Sequence, residues 1–310
     1  MYEDDSICIT VPGSTANLGP GFDSIGLAVN KYLSLKVSRS KESSITTSSE
    51  LLLEMERGEE NLIYQVYSGI CKDYGVTVEP LHIDVQSDIP LSRGLGSSGS
   101  AIIAGIELAN TIGKLSLSNE QKLISALKWE NHLDNIAASL YGGLVITTFV
   151  KGVPVVVKSD CSTVDIVAII PSYSVSTKDA RSVLPASLPF MDAIQGSAHS
   201  NVLVAALLKG DWDLAGKVMK KDLFHQGYRA PLVNKWETLE DYSSKNKNVY
   251  GMTLSGAGPT VLLFVQEGFG EGVVQELSYL HCKVELLQVE TSGSRINILE
   301  TCNGDRCSQS

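Results

Sequence analysis

The stretch most suited to chemistry is residues 90–101, PLSRGLGSSGSA, which combines three glycines with four serines. It runs directly into residues 102–112, where apolar side chains recur at the spacing of an α-helix. Glycine lets a backbone adopt positive φ and approach a ligand closely, and the first turn of a helix presents unpaired N–H groups and the positive end of its dipole. The serine hydroxyls add further donors. The pattern therefore predicts a loop that binds a phosphate group.

Three other interpretations of this loop fit the sequence less well. Residues 94–99 satisfy G-x-G-x-x-G, but a dinucleotide-binding fold requires a strand after the helix and an acidic residue about 20 positions beyond the motif. Here a second helix follows, opened by the capping-box pattern of Ser118 and Gln121. A Walker A loop needs Lys before Ser or Thr, which is missing. A flexible Gly/Ser linker does not explain the abrupt change to an apolar helix.

Composition limits the class of protein. The chain has 310 residues, 43% hydrophobic and 19% charged, as expected of a folded protein long enough for two domains. Its formal net charge of −10 argues against a nucleic-acid partner, because phosphate backbones would be repelled. The acidic N-terminus lacks the features of a secretory signal, and no apolar run reaches the ~18–20 residues that span a bilayer. We therefore expect no membrane association and a cytoplasmic location.

The cysteine pattern agrees with a reducing compartment. The chain contains no C-x-x-C pair, so reduced thiols are favoured over metal ligation or disulfides. The six cysteines are Cys8, Cys71, Cys161, Cys282, Cys302 and Cys307.

The elements that must position the loop follow from hydrophobic periodicity, with a domain boundary expected between residues 150 and 165. Before it, we expect strands at 6–12, 31–37, 81–86 and 144–149 and helices at 59–74, 102–112 and 118–130. Gly113 is a suitable stop for the second of these helices. After the boundary, we expect strands at 164–170, 249–254, 260–265 and 283–289 and helices at 196–208 and 211–225.

Three motifs in order resemble the GHMP small-molecule kinases. Residues 90–101 resemble the ATP-binding loop of that family, residues 12–29 (PGSTANLGPGFDSIGLAV) its first motif, and residues 254–264 (LSGAGPTVLLF) its third motif. The resemblance covers nearly the whole chain. It implies a two-domain α/β (α+β) fold, with an N-terminal domain at 1–158 related to the second domain of a ribosomal protein and a C-terminal, ferredoxin-like domain at 159–301. A polar tail would follow at 302–310.

The same resemblance implies ATP and Mg²⁺ as cofactors and a homodimer as the assembly. It places the magnesium ion with Ser98 and Glu130, and the third motif near the active site, packed by its glycines against the phosphate loop. The motif is also compatible with a plain β-hairpin turn. The residues expected to bind ATP are Pro90, Leu91, Ser92, Arg93, Gly94, Leu95, Gly96, Ser97, Ser98, Gly99, Ser100 and Ala101.

Within the family, four segments resemble the branch that phosphorylates the side-chain hydroxyl of L-homoserine in threonine biosynthesis. They are residues 17–23 (NLGPGFD), 130–135 (ENHLDN), 176–181 (STKDAR) and 225–229 (HQGYR). Homoserine is a zwitterion. The resemblance assigns its carboxylate to two planar guanidinium groups, and its ammonium needs carboxylate and amide acceptors. The expected substrate contacts are Arg181 and Arg229 for the carboxylate, Asp23 and Asn17 for the ammonium, and His132 in addition.

The catalytic base has two candidates, which are neighbours in the chain. Mevalonate kinase-like relatives use an Asp seven residues before the first glycine of a Gly-Gly pair, and the matching position here is Asn135, which is not a base. Asp134 is its neighbour and the alternative candidate. Our preferred hypothesis is catalysis without a dedicated base, in which the hydroxyl proton passes to a phosphate oxygen or to water. The candidate catalytic residues are Asn135, Asp134, Ser98 and Glu130.

Three rival functions stay open at this point. One is another GHMP enzyme acting on mevalonate, a sugar or shikimate, because paired arginines suit any carboxylate substrate. Another is a non-catalytic ligand sensor on the same fold, and the third is a dinucleotide-dependent oxidoreductase.

Overall fold

A computed structural model of the chain describes residues 6–52, 55, 58–161 and 163–299. The strands in this part are β1 (Ser6–Ala16), β2 (Ile25–Arg39), β3 (Ser44–Thr47), β4 (Leu81–Ser87), β5 (Leu144–Val150), β6 (Val153–Ser159), β7 (Asp165–Ile170), β8 (Val249–Leu254), β9 (Val261–Val265), β10 (Lys283–Leu287) and β11 (Arg295–Leu299). The α-helices are α1 (Leu62–Asp73), α2 (Ser97–Ile112), α3 (Asn119–Ala126), α4 (Asp134–Tyr141), α5 (Thr177–Ser182), α6 (Phe190–Lys209), α7 (Trp212–Met219), α8 (Gln226–Arg229), α9 (Trp236–Lys245) and α10 (Gly270–Glu276).

The larger sheet has the order β11-β1-β2-β4-β3, and β2 also pairs with β5, which pairs with β6. Only β3 and β4 run parallel among these described pairs, and α1 lies between them in the chain. The burial of β1 alternates in its first half, as expected for a strand with one covered face, and is continuous from Val11 to Ala16. The chain therefore enters the loop at residues 17–24 from a fully buried strand.

The smaller sheet is antiparallel, with the order β10-β7-β9-β8. Five helices, α5 to α9, lie between β7 and β8 in the chain, and α10 lies between β9 and β10. This strand order, with helices in those two connections, is that of a ferredoxin-like fold. The expected α/β fold with a ferredoxin-like C-terminal part is confirmed.

The two sheets share a hydrophobic core. One buried cluster contains Ile9 and Leu35 of the larger sheet together with Phe264 of the smaller one. Trp212 stacks on Phe264 with ring centroids 5.3 Å apart. A second, smaller cluster lies between the other face of the small sheet and α9 and α10. The two sheets are therefore joined by a continuous packed interior.

The end of the chain departs from the expected domain division. Strand β11 pairs antiparallel with β1, from Ser6 opposite Leu299 to Thr10 opposite Arg295, so residues 295–299 return to the larger sheet. The division into 1–158 and 159–301 remains a prediction, and β11 does not fit it. The gap between β6 and β7 does fall where the boundary was expected.

Most predicted elements are present, with shifted ends. The capping box of Ser118 and Gln121 is confirmed. The helix predicted at 211–225 is wrong beyond Met219, where α7 ends; after it, the carboxylate of Asp222 accepts hydrogen bonds from the backbone N–H groups of residues 224–226, at the start of α8. The helix predicted at 118–130 ends at Ala126, the one predicted at 196–208 begins earlier, at Phe190, and the strand predicted at 283–289 ends at Leu287.

The described cysteines, at positions 8, 71, 161 and 282, form no disulfide. Among the described residues, no helix combines the length and apolar character needed to cross a membrane. The predicted polar tail at 302–310, with Cys302 and Cys307, lies outside the described residues.

Candidate active site

The predicted phosphate loop ends at the N-terminus of α2. Gly96 is the residue before the helix and has φ +76°, a left-handed conformation that glycine adopts without strain. No side chain caps the helix, and its first turn contains no acidic residue. The N–H groups of that turn are therefore available to a ligand, and the dipole of the 16-residue helix favours an anion there.

The third motif closes over this loop, as predicted. It connects the antiparallel strands β8 and β9, so the other interpretation of the motif, a β-hairpin turn, is confirmed as well. The Ser255 hydroxyl donates to the Gly94 carbonyl at 2.6 Å, and the Thr260 N–H donates to the Arg93 carbonyl at 3.4 Å. One side-chain hydrogen bond and one backbone hydrogen bond thus join the two glycine-rich segments.

Gly94 shows how tight this contact is. A Cβ atom at Gly94 would lie 2.2 Å from the Ser255 carbonyl oxygen, and the residue has φ +80°. We expect Gly94→Ala to lower the free energy of unfolding by about 3 kcal/mol, from backbone strain and overpacking together, and to weaken ATP binding. Denaturant unfolding and ATP titration measure the two effects.

Gly152 is the matched control for that substitution. It has the same φ of +80°, but a Cβ there would meet nothing within 4 Å. Gly152→Ala should therefore cost only the strain of a left-handed conformation, about 1 kcal/mol, and leave ATP binding unchanged. Equal losses in the two variants would contradict the close packing of the loops.

The polar side chains of the loop differ in what they contact. Ser98 is exposed, whereas Ser100 is buried and donates to the Ser97 carbonyl at 3.0 Å. Arg93 donates to three backbone carbonyls, those of Leu91, Pro171 and Ser172, at 2.8, 3.1 and 2.6 Å. The guanidinium of Arg93 therefore ties the loop to the segment after β7, and the Ser98 hydroxyl at the start of α2 is open to a ligand.

Two cavities flank the phosphate loop. One, of about 330 Å³, is mainly apolar and is lined by Leu33, Met55, Leu62, Leu91 and Ala101 among others, together with Ser98. The other, of about 140 Å³, lies over the helix N-terminus and is lined by loop residues, third-motif residues, Glu130 and Asn135. An apolar cavity beside an anion-binding helix terminus suits a ligand with a flat apolar ring and a phosphate chain.

A third cavity, of about 80 Å³, contains the residues expected to bind the substrate. It shares Glu130, Asn135, Thr177, Gly256 and Ala257 with the cavity over the helix N-terminus. All the predicted substrate contacts line it, namely Asn17, Asp23, His132, Arg181 and Arg229. The structure thus brings together residues that are more than 200 positions apart in the chain.

The first motif forms one wall of this third cavity. Asn17 and Asp23 both have positive φ, 76° and 55°, and the Asn17 side chain holds the turn closed. Its Oδ1 accepts from the Asp23 N–H at 3.0 Å, and its Nδ2 donates to the Gly256 carbonyl at 3.1 Å. Asn17 therefore shapes the loop that presents the carboxylate of Asp23.

The two arginines lie over one aromatic ring. The guanidinium carbons of Arg181 and Arg229 are 5.5 and 5.1 Å from the centroid of the Phe22 ring, and His225 stacks on that ring at 5.0 Å. Arg229 is 2% exposed and donates to the carbonyls of Ala180 and Gly256. Burial, with the charge of Arg181 as a further cause, lowers the pKa of Arg229 to about 10, so it is charged at neutral pH.

Glu130 and His132 form a pair beside the phosphate loop. The Nδ1 atom of His132 is 2.8 Å from a Glu130 carboxylate oxygen. Burial alone would raise the pKa of Glu130, but the hydrogen bond and charge of His132 lower it overall. The same hydrogen bond raises the pKa of His132. Glu130 is therefore ionised at neutral pH. It lines both the cavity of about 140 Å³ over the helix N-terminus, called the phosphate cavity below, and the cavity of about 80 Å³, called the substrate cavity.

Asp134 and Asn135 begin helix α4. Asp134 is 4% exposed, and its Oδ1 accepts from the backbone N–H of Asn135 at 2.7 Å. Burial raises the pKa of Asp134 to about 6. The Oδ1 of Asn135 accepts from the Ser14 hydroxyl at 2.9 Å, and Asn135 lines both the substrate cavity and the phosphate cavity. Of the two candidates, Asn135 is the one at the junction.

The donor set around the loop fits a magnesium ion bound together with phosphate. Ser98 and Glu130 line the same cavity and supply a hydroxyl and an ionised carboxylate, which are oxygen ligands that Mg²⁺ prefers. Within the described ranges, no group of three or more His, Cys, Asp and Glu side chains is placed to hold a metal. Phosphate oxygens and water would complete the coordination.

Sequence reasoning missed three residues of the site. The ring of Phe22 contacts the guanidinium groups of Arg181 and Arg229. Thr177 lines the substrate and phosphate cavities, and the Ser14 hydroxyl orients Asn135 by a hydrogen bond. All three lie inside segments that the motif comparison had singled out, Ser14 and Phe22 in residues 12–29 and Thr177 in residues 176–181, so membership of a motif was the available signal. No local pattern indicated the contact of Ser14, because it joins residues 121 positions apart.

Family models match both parts of the chain: the GHMP kinase N-terminal domain at residues 61–143 and the GHMP kinase C-terminal domain at residues 203–278. The chain belongs to the GHMP kinase family. Within that family it belongs with the homoserine kinases. It is 48% identical to a homoserine kinase of Bacillus velezensis over 93% of this chain and 94% of the relative, and 45% identical to one of Halalkalibacterium halodurans over 93% and 94%.

Solved structures agree with this placement. The crystal structure of a homoserine kinase from Cytophaga hutchinsonii superposes with a TM-score of 0.82 at 25% identity, covering 96% of this chain and 99% of that one. A mevalonate kinase at 16% identity shares the fold, with a TM-score of 0.70 over 92% of this chain and 99% of that one.

Proposed function

We propose that this protein transfers the terminal phosphoryl group of ATP to the side-chain hydroxyl of L-homoserine, producing O-phospho-L-homoserine for threonine biosynthesis. The observation that carries the proposal is the junction of two cavities. The cavity over the α2 N-terminus and the cavity with the paired arginines share Glu130 and Asn135, so a phosphate chain and an amino-acid hydroxyl can meet there. Homoserine-dependent consumption of ATP tests it.

The nucleotide would occupy the two cavities beside the phosphate loop. The apolar cavity suits the adenine ring, and the N–H groups of the first turn of α2 would bind the phosphates. Ser98 would hold Mg²⁺ with Glu130, and the ion would neutralise charge on the phosphate oxygens. Because the α2 dipole is fixed before the reaction begins, it stabilises developing negative charge without reorganisation.

The amino acid would bind in the cavity of about 80 Å³. Arg229 is held rigidly by two carbonyls and Arg181 lies on the same ring, so together they offer a planar, doubly charged surface to the α-carboxylate. Asp23 would accept from the ammonium. His132, fixed by Glu130, would contact the substrate beside the hydroxyl. Binding of both ends of the zwitterion leaves the hydroxyl facing the phosphate cavity.

Phosphoryl transfer depends on alignment and charge neutralisation more than on removal of the hydroxyl proton. We propose that Asn135 positions the reacting groups and that the proton leaves to a phosphate oxygen or to water. Asp134 would act on Asn135, by accepting its backbone N–H, and would not act as the base.

Asp134→Asn tests this mechanism. We expect the variant to keep the chemical step within about 10-fold of the parent, because an amide oxygen accepts the Asn135 N–H equally. A base with the pKa of about 6 that burial gives Asp134 would lose activity as the pH falls below 6. We expect single-turnover rates of parent and variant to follow the same pH profile. Loss of the step in Asp134→Asn with substrate binding intact, while Asn135→Ala keeps it, would contradict the mechanism.

We further propose that the protein acts as a homodimer in the cytoplasm, as the sequence resemblance implies. Sedimentation analysis of the purified protein measures the assembly directly.

A further inference from the structure

The charged groups of the substrate cavity are already paired with each other. An Asp23 carboxylate oxygen lies 2.7 Å from Nη2 of Arg181, and the other oxygen lies 3.7 Å from Nε2 of His132. Both side chains of the Asp23–Arg181 pair are 34% exposed, so water reaches them and the pair can separate. Asp23 therefore occupies one terminal nitrogen of the guanidinium that a substrate carboxylate needs.

The other arginine is held differently. Arg229 is 2% exposed, and the Ala180 and Gly256 carbonyls fix its guanidinium. The described ion pair of Asp23 with an arginine is made by Arg181. The Nε of Arg181, in contrast, is buried with no hydrogen-bond partner in the described part of the chain. Arg229 is thus a permanent part of the pocket wall, while Arg181 is a cation whose partner can change.

We propose that the Asp23–Arg181 ion pair selects zwitterions over simple hydroxy acids by exchange of partners. The α-carboxylate of an amino acid takes Arg181 from Asp23, and the ammonium of the same molecule takes the freed Asp23. A hydroxy acid that takes Arg181 has no ammonium to offer Asp23, so that carboxylate keeps only the His132 contact at 3.7 Å, in a cavity that the negative charge of Glu130 also lines. Asp23 is therefore an internal competitor for every carboxylate and becomes a ligand only for those that carry a cation.

This inference deepens the proposed function and rests on it. If Asp23 only bound the ammonium, its removal would lower kcat/KM for amino-acid substrates and leave kcat/KM for hydroxy acids unchanged. If Asp23 is an internal competitor, its removal should raise kcat/KM for hydroxy acids. The two accounts differ in the sign of one measurable effect, on 4-hydroxybutanoate, which is homoserine without its amino group.

The test uses Asp23→Asn in the full chain. Asn keeps the shape of the side chain and tolerates the φ of +55° at this position. We expect kcat/KM for homoserine to fall by about 10- to 100-fold, because a charged partner of the ammonium is lost. We expect kcat/KM for 4-hydroxybutanoate to rise by about 3- to 5-fold, the strength of a partly exposed ion pair. Asp241→Asn, which removes an exposed ion pair with Lys245, is the control and should change neither value.

Binding without chemistry gives a second readout, on the parent protein alone. 2-Aminobutanoate and butanoate lack the reacting hydroxyl and differ only in the ammonium, and calorimetry should show the parent binding the zwitterion more tightly by at least about 10-fold. Equal affinities would overturn the inference. So would an unchanged or lower value for 4-hydroxybutanoate in Asp23→Asn. If the parent fails to phosphorylate homoserine, the proposed function fails instead, so the two failures are distinguishable.

Discussion

Replacing Glu130 with Gln will reduce kcat by about 100- to 1000-fold while leaving the fold intact. Glu130 lies between the phosphate and substrate cavities, and it is ionised at neutral pH because His132 stabilises its charge. The amide keeps the size of the side chain but removes the negative charge that a magnesium ion needs. The concentration of Mg²⁺ for half-maximal activity should rise as well, since one anionic ligand is lost.

Steady-state kinetics over a range of magnesium concentrations measures both effects. Glu120→Gln, at an exposed position in the first turn of α3, makes the same chemical change away from the cavities and should leave kcat and the magnesium dependence unaltered. If Glu130→Gln retained kcat within about threefold of the parent at every magnesium concentration, Glu130 would not be a ligand or a catalytic residue.

Arg229→Lys should have the second largest effect. The guanidinium donates to the Ala180 and Gly256 carbonyls while facing the cavity, and an ammonium cannot reach both carbonyls in that planar arrangement. We expect kcat/KM for homoserine to fall by about 100-fold and the free energy of unfolding by about 2 kcal/mol, because a buried acceptor loses its donor. The KM for ATP should change by less than about threefold, since Arg229 does not line the nucleotide cavities.

Arg39→Lys is the matched control for Arg229→Lys. Arg39 forms an exposed ion pair with Glu79 at 3.3 Å, in which a lysine can replace the arginine at little cost. Both kinetic and unfolding measurements should be unchanged in this variant. If Arg229→Lys had the same KM for homoserine as the parent, Arg229 would not bind the substrate carboxylate.

The phosphate loop was predictable from sequence because its chemistry is local. Glycines, serines and a following apolar helix are neighbours in the chain, and the structure has them as Gly96 followed directly by α2. The ferredoxin-like part was predictable only through the family resemblance. Its strand order brings β10 beside β7, and hydrophobic periodicity does not encode which strands pair.

The parts that sequence did not predict depend on distant contacts. The pairing of β11 with β1 joins the two ends of the described chain, and no local pattern indicates it. The continuation of α7 to residue 225 was predicted wrongly, because the Asp222 side chain binds the backbone N–H groups of His225 and Gln226 in place of helical carbonyls. Phe22 lay in a segment that the motif comparison had singled out, but its contacts with Arg181 and Arg229 are visible only in the structure.

The acidic residues beside the site also needed the structure for their interpretation. Asp134 and Glu130 are both carboxylates in one short segment, but burial raises the pKa of Asp134 and His132 lowers that of Glu130. The sequence could name both as candidates. Only their surroundings separate a buried residue that accepts the Asn135 N–H from an ionised one that lines the cavity over the α2 N-terminus.

The most direct test of the account is an ATP consumption assay on the purified protein with a panel of alcohols: L-homoserine, mevalonate, shikimate and galactose. We expect ATP consumption with L-homoserine at a rate far above the others, with O-phospho-L-homoserine identified as the product. ATP consumption with mevalonate and none with L-homoserine would contradict the account, because the cavity of Asp23, Arg181 and Arg229 would then serve a substrate without an amino group.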